Sequence, residues 1–435
     1  MSAEDEDREV AGTRTGKGRA LTSLMLLPAC LGAAAASLRA GLDLLYRGRP
    51  GLSPLTRLGS SHAAGLYAEG WTLVLGTGRG GPRYMLDLLL CNPGDASYLV
   101  DTTAAYLSLS FWDGGSGWQL VDRYSLRHFH PSMERGEILL GPHENPRCSL
   151  RLAPGDGGVW VAVSGTMERS SFIRREFPGS AQDISWDLRL LFLDTWYPDA
   201  KLDALSGSGY ALSPCGVSFA CRPARSEGAL KVNESLFELG TGGEAPAPAW
   251  LLQRWGSPFP DGEGRLLCLA GGAGAADAAV FLSAPLPATG PGCGEGRPHY
   301  RPSSLFVRRG NRAGMVRDNP LDRRRLRSHL SEMGPAAPGD EGPTSLSARV
   351  DARLAAGRVT VTAETCGGDR LDLLLPGTHG QCVMRSWYPR GRLLLRGSSG
   401  EQERLQADLM VERTVGGWWD RVADFIEIPI DLEAP

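Results

Sequence analysis

Short apolar runs separated by glycine, proline and polar turns recur along the chain from residue 70 onward. Segments 71–77, 83–91, 118–130 and 158–167 are rich in leucine, β-branched and aromatic residues over strand-like lengths. The first two flank the glycine-rich segment 78–81, which predicts a β-hairpin. Repeated strands at this spacing predict an all-β protein made of antiparallel barrels or curved sandwiches.

The same pattern returns in the second half of the sequence. Residues 228–239 read as a strand, an Asn-Glu turn and a second strand, and apolar runs follow to residue 286. The segment 287–345 is rich in glycine, proline and charge, which predicts a long loop. Apolar and β-branched runs of strand-like length return over 346–415.

A chain of 435 residues exceeds the usual size of a single core, so two main domains are expected. The distribution of charged, apolar and turn-forming residues predicts a disordered charged tail over 1–20 and an apolar helix, signal or anchor over 21–47. The first β domain is then predicted over 67–210 and the second over 211–430, the latter carrying the long loop.

The composition restricts the classes of partner and the cellular compartment that are expected. The formal net charge of -3 provides no electrostatic reason to expect nucleic acid as a partner. The nine cysteines are scattered and form no CxxC pair, which favours free thiols in a reducing, cytoplasmic compartment over a disulfide framework. The apolar segment 21–38 leaves three alternatives open: a helix packed on the body of the protein, membrane association, or secretion.

Few motifs in this sequence point to a defined chemistry. GTGRGG over 76–81 lacks the Lys-Ser or Lys-Thr pair of a phosphate loop and is interpreted as a hairpin turn. His128 and His130 share one face of a strand, but no third ligand is fixed by spacing, so no metal site is predicted. Motifs of the common hydrolases and nucleotide-binding enzymes are absent from the sequence, and no cofactor is expected.

Two carboxylates are candidate catalytic acids. Asp187 and Asp194 lie in the largely apolar segment 183–198, and an acid inside an apolar barrel would have a raised pKa and could donate a proton. For Asp187 the alternative is a surface pair with Arg189, which shares its strand face.

The eleven tryptophans favour a ligand cavity, since most of them fall in or beside the predicted strands. The candidate ligand-binding residues are the aromatic side chains Trp71, Trp112, Trp186 and Trp255 and the adjacent cation Arg254. Core packing of the same tryptophans is the alternative.

Four short segments carry a resemblance to a known superfamily: Glu69-Gly70-Trp71, residues 223–233 (PARSEGALKVN), Arg254-Trp255-Gly256, and residues 358–377. Over roughly 67–415 the order of features resembles the lipocalin-like two-domain superfamily. That superfamily includes hydroxyneurosporene synthase (carotenoid hydratase), tocopherol cyclase, Diels–Alderases and survival-factor lipid-binding proteins. The resemblance implies two tandem lipocalin-like barrels.

The resemblance also implies a function: binding of a long apolar ligand, an isoprenoid or a lipid, in a barrel cavity, with acid-catalysed hydration or cyclisation as an enzymatic extension. Thr72 follows Trp71 where an aromatic pair is usual, and the segment before Trp255 lacks the acidic, His and Asn residues of the enzymes. These departures favour binding over catalysis. The alternative hypothesis is a non-catalytic lipid carrier or a membrane-associated structural or interaction protein.

Overall fold

The structure of the chain is a computed structural model. It describes residues 68–76, 82–91, 104–112, 117–125, 128–132, 135–155, 157–167, 172–173, 184–196, 216–240, 248–256, 264–271, 278–286, 303–310, 312–317, 326–333, 345–354, 357–365, 370–376 and 382–415. The predicted tail 1–20 and the segment 21–47 lie outside the described residues. Among the residues that are described, no helix is long and apolar enough to cross a membrane.

Thirteen antiparallel strands form the first sheet. They are β1 Ala68–Gly76, β2 Arg83–Cys91, β3 Ala104–Trp112, β4 Gly117–Ser125, β5 Phe129–Ser132, β6 Glu137–Leu140, β7 Cys148–Gly155, β8 Gly158–Met167, β9 Phe172–Ile173, β10 Ile184–Trp196, β11 Gly216–Val232, β12 Ser235–Leu239 and β13 Ala249–Gly256. Their order is β5-β6-β7-β8-β10-β11-β13-β1-β2-β3-β4-β9, and β12 pairs with β11.

Ten strands form the second sheet. They are β14 Gly264–Gly271, β15 Ala278–Leu286, β16 Ser304–Arg309, β17 Arg312–Arg317, β18 Leu326–Met333, β19 Ser345–Leu354, β20 Gly357–Glu364, β21 Leu371–Pro376, β22 Cys382–Gly397 and β23 Gln402–Val415. Their order is β17-β16-β15-β14-β23-β22-β20-β19-β18, and β21 pairs with β22. The two sheets curl into a half-barrel and a nearly closed barrel, which confirms the predicted all-β class.

Several predicted local features are present. The strands β1 and β2 pair antiparallel, as the hairpin prediction required. The turn between β11 and β12 is the predicted Asn-Glu pair, and Asn233 adopts a positive φ of 52°, a conformation that asparagine tolerates in two-residue hairpin turns.

The central strands are buried on both faces, which explains their unbroken apolar runs. Side chains alternate across a strand, so Trp71, Leu73 and Leu75 of β1 enter one core while Val74 enters another. One core fills the concave face of the first sheet, and a second fills that of the second sheet. A third core, with side chains from both sheets, lies between them.

Two features differ from the sequence-based expectation. The strands from Gly216 to Gly256 belong to the first sheet, so the change of sheet falls between residues 256 and 264. The predicted domain boundary at 210/211 does not coincide with it and stays a prediction about domains. The segment 287–345, predicted as a long loop, contains β16, β17 and β18. Their short apolar runs are interrupted by Arg and Gly, which weakened the strand signal.

Candidate functional site

One end of the concave face of the first sheet gathers aromatic and polar side chains from distant strands. Trp71 lies near the start of β1, and its ring stacks on Phe129 of β5 with centroids 6.4 Å apart. Trp186 lies near the start of β10, in one cross-strand row with Gly165 of β8 and Cys148 of β7. Apart from Gly165, these residues belong to the same buried core. We call this region the Trp71–Trp186 end.

The indole nitrogens at this end have no hydrogen-bond acceptor among the described residues. Trp71 is 2% exposed and Trp186 is 3% exposed, so bulk water does not reach either Nε1. A buried donor without an acceptor lowers the stability of a protein by about 1–3 kcal/mol. Few buried polar groups in native proteins lack a hydrogen-bond partner. Each of these donors, in the same apolar interior, marks a position where an acceptor from another molecule would be favoured.

Gly165 allows Trp186 to occupy its position. A Cβ at residue 165 would lie 2.4 Å from the indole Cζ2 of Trp186 and 2.5 Å from the carbonyl oxygen of Arg147. Any side chain would therefore displace the indole ring or the backbone of the adjacent strand. The glycine is required by this close approach.

A hydrogen-bonded Tyr–Asp pair lies at the same end. The Tyr124 hydroxyl donates to Asp122 Oδ2 over 3.0 Å, and Tyr124 packs against the first-sheet core. Asp122 stands in the cross-strand row that leads through Leu107 and Leu88 to Trp71. The pair is half-buried, so the interior ends here in a polar rim.

Burial controls the protonation of two groups at this end. Burial raises the pKa of Tyr124 far above its usual value, and the nearby Asp122 carboxylate raises it further. Burial likewise raises the pKa of the Cys148 thiol to about 12. Tyr124 is therefore a hydrogen-bond donor and Cys148 a neutral thiol at physiological pH, and the Asp122 carboxylate accepts the hydrogen bond of Tyr124.

The sequence of β4 explains how the pair reaches the interior. Because side chains alternate, Trp118, Leu120, Asp122 and Tyr124 share one face of the strand. The first two are buried in the core, so the last two follow them onto the same side. A carboxylate and a phenol on an otherwise apolar face were the available signal, and neither residue is among those predicted from the sequence.

Arg254 lies elsewhere, in a buried ion cluster between the two sheets. It pairs with Glu412 of β23, and its Nη2 donates to Thr72 over 2.9 Å. Arg385 of β22, fully buried, donates to both Asp87 oxygens at 2.9 Å and to Glu412 at 2.8 Å. Charges of one sheet thus meet opposite charges of the other.

Neighbouring charges in the ion cluster shift the pKa values of its buried members. Burial alone would raise the pKa of Glu412, but Arg254, Arg265 and Arg385 together hold it well below its usual value. Burial lowers the pKa of Arg254 to about 10, against the pull of Glu412. A network in which arginines of each sheet pair with carboxylates of the other is suited to fixing the two sheets together.

The two predicted catalytic acids lie away from the Trp71–Trp186 end. Asp187 is exposed on the opposite face of β10, and its neighbour Arg189 pairs with Glu227. Asp194 pairs with Arg222 at 3.1 Å and with Arg308 of the second sheet. Their assignment as catalytic acids stays a prediction, and neither has the apolar surroundings on which it was based.

The predicted ligand-binding residues divide between two regions. Trp71 and Trp186 share the first-sheet interior, whereas Trp112 and Arg254 lie between the sheets, where Arg390 stacks on Trp112 at 4.8 Å. Trp255 pairs with Glu69 in the ladder, and its side chain is outside the described set. His130 contacts His143, and within the described ranges no group of three metal-ligating side chains occurs.

No family model and no curated protein matches this sequence. Among solved structures, the chain is similar to a candidate AttH from Nitrosomonas europaea, at 12% identity and a TM-score of 0.45, over 80% of this chain and 91% of that one. It is also similar to CghA, solved with Sch210972, at 13% identity and a TM-score of 0.40, over 81% of this chain and 89% of that one. Likeness at these values does not show a family or a function.

Proposed function

We propose that the interior of the first sheet binds a long apolar molecule with a polar end, such as an isoprenoid or a lipid. The observation that carries this proposal is the pair of buried indole donors of Trp71 and Trp186 without acceptors among the described residues. Polar atoms of the ligand that lie near these donors would accept their hydrogen bonds and remove their desolvation cost. The aromatic and aliphatic wall around them would hold the apolar part.

Loading of the ligand requires an opening movement, because Trp71 and Trp186 are almost fully enclosed. The edge strands of the first sheet are short, with four residues in β5 at one side and two residues in β9 at the other. Short edge strands have few ladder hydrogen bonds and open at the lowest free energy. Ligand entry is therefore expected at these edges.

The experiment is mass spectrometry of organic extracts from the full chain purified from its native host. The wild type is compared with the double variant Trp71→Phe/Trp186→Phe, which keeps the apolar rings and removes both donors. We expect an isoprenoid or lipid in the wild-type extract and a loss of about tenfold or more in the variant.

The matched control is Trp250→Phe, which changes an equally buried tryptophan between the sheets. Its extract should match the wild type. An empty extract from folded wild-type protein would contradict the proposal, as would equal ligand content in all three proteins.

A second candidate function is acid-catalysed hydration or cyclisation of the same ligand, without a cofactor. It is favoured by the Asp122 carboxyl, held by Tyr124 at the rim of an apolar interior. The protonated carboxyl would give its proton to an alkene carbon. Water or a second alkene would attack the cation, and the lost proton would return to the carboxylate.

Turnover of the extracted ligand by Asp122→Asn distinguishes this enzyme from a carrier. The enzyme hypothesis predicts that turnover is abolished while ligand content is retained. Asp187→Asn and Asp194→Asn, measured in parallel, test the two acids predicted from sequence. A wild type that binds the ligand but never converts it leaves the non-catalytic carrier as the function.

A further inference from the structure

The outer face of the first sheet carries an open depression over β7, β8 and β10. Its volume is about 650 Å³. Its lining combines two arginines, one tryptophan and small apolar residues: Arg151, Arg189, Trp160, Ala162, Ala153 and Pro154. It lies on the face of the sheet opposite to Trp186, because Arg189 and Trp186 have opposite parity along β10.

The ladder places the two arginines symmetrically about a small residue. Ala162 of β8 pairs with Arg151 of β7 on one side and with Arg189 of β10 on the other. Two strand spacings separate the arginine Cα atoms by roughly 10 Å, a distance that two extended guanidinium groups can span from both sides. The methyl group of Ala162 leaves the space between them open.

Arg189 stacks on an aromatic ring. Its guanidinium carbon lies 4.5 Å from the centroid of the Trp160 ring, and such stacking fixes the plane of the guanidinium. The same ring borders the depression, where it offers apolar contact to a ligand. One wall therefore combines a cation with a flat apolar surface.

The surrounding acids leave the arginines available. Glu227 contacts Arg189 at 3.5 Å, but both side chains are more than half exposed, so this pair contributes little. Glu137 faces Arg151 across the β6–β7 ladder, and Asp187 precedes Arg189 on the same strand face. Among the described residues Arg151 has no ion pair within 4.0 Å.

We propose that this depression binds a small molecule that carries an anionic group, a carboxylate or a phosphate, on a flat apolar body. The anion lies over Ala162 between Arg151 and Arg189, where each arginine donates charge-assisted hydrogen bonds. The flat body packs against Trp160 and the small residues of the wall. This site is separate from the apolar-ligand interior, so either one can exist without the other.

The test is calorimetric titration of the full chain with 1-naphthyl phosphate, which has both parts, and with naphthalenemethanol, which lacks the charge. We expect saturable binding of the phosphate ester and much weaker binding of the alcohol. Arg151→Gln and Arg189→Gln should each weaken the ester by about tenfold. Arg353→Gln, an exposed arginine of the second sheet, is the control and should leave the affinity unchanged.

A further variant, Ala162→Glu, adds a carboxylate between the two arginines without removing either. It should abolish binding of 1-naphthyl phosphate while the melting temperature stays at or above that of the wild type. The proposal is overturned if the wild type shows no saturable binding, if both glutamine variants bind as the wild type does, or if the alcohol binds as tightly as the ester.

Discussion

The concave cores of the two sheets differ sharply in composition. The first contains six buried aromatic residues, Trp71, Tyr84, Trp118, Phe129, Trp186 and Phe192, with a Tyr–Asp pair at one end. The second consists of alanine, valine and leucine with Cys268, and Tyr388 is its one aromatic member among the described residues. Small aliphatic side chains fill a narrow barrel efficiently and leave no polar group to satisfy.

This difference in composition is the reason for proposing different roles for two sheets of similar construction. The second interior has the composition of a scaffold, because its described members are almost all small and aliphatic. The first interior has costly polar groups that packing alone does not explain. The ion cluster between the sheets belongs to neither interior and fixes one sheet against the other.

The largest expected effect falls on the ion cluster. Arg385→Met keeps the volume of the side chain but leaves Asp87 and Glu412 short of a buried partner. We expect a loss of about 3–5 kcal/mol in the free energy of unfolding, measured by denaturant titration. The control Arg349→Met removes an exposed pair with Asp351 and should change stability by less than about 0.5 kcal/mol.

A glycine substitution in each sheet sharpens the comparison between the two sheets. Gly165→Ala forces a Cβ into the ring of Trp186 and the Arg147 carbonyl, and we expect it to cost about 1–3 kcal/mol and to reduce ligand content. Gly314→Ala in β17 meets nothing closer than 3.6 Å. It should be neutral or stabilising by up to about 1 kcal/mol in thermal or denaturant unfolding. Equal costs for both variants would contradict the close approach at Trp186.

Two tryptophan-to-phenylalanine changes compare an indole that donates a hydrogen bond with one that has no acceptor among the described residues. Trp387 Nε1 donates to the buried Asp408 over 3.2 Å, so Trp387→Phe should cost about 1–3 kcal/mol of unfolding free energy. Trp186→Phe removes a donor without a described acceptor and should cost less than about 1 kcal/mol in ligand-free protein. If Trp186→Phe proves the more damaging in the absence of ligand, its nitrogen is satisfied in the native protein.

The sequence predicted much of the fold but only part of the candidate site. Strand runs and turns are local signals, so the hairpins β1–β2 and β11–β12 were recognisable. Trp71 and Trp186 were singled out because aromatic residues in strands are conspicuous. Asp122 and Tyr124 carried a signal in the alternation of β4, but it has meaning only once the buried face of that strand is known.

The ion cluster could not be predicted for a different reason. Arg254 and Glu412 are 158 positions apart, and Asp87 and Arg385 are 298 apart. No local sequence pattern indicates such pairs, so the sequence predicted Arg254 to be a cation that lines a ligand cavity. The role of a charged residue in a two-faced strand depends on which sheet covers it, and that is decided by topology.

The most direct test of a ligand-accessible first interior compares two buried thiols in the native protein. Cys148 lies in the first interior and Cys268 in the second, and burial raises the pKa of both, so each reacts only when its surroundings open. The measurement is the alkylation rate of each cysteine, mapped by peptide mass spectrometry, in delipidated protein with and without farnesol as the probe ligand. The account predicts that Cys148 reacts faster than Cys268 and that farnesol slows Cys148 alone. Equal rates for both cysteines, unchanged by farnesol, would contradict it.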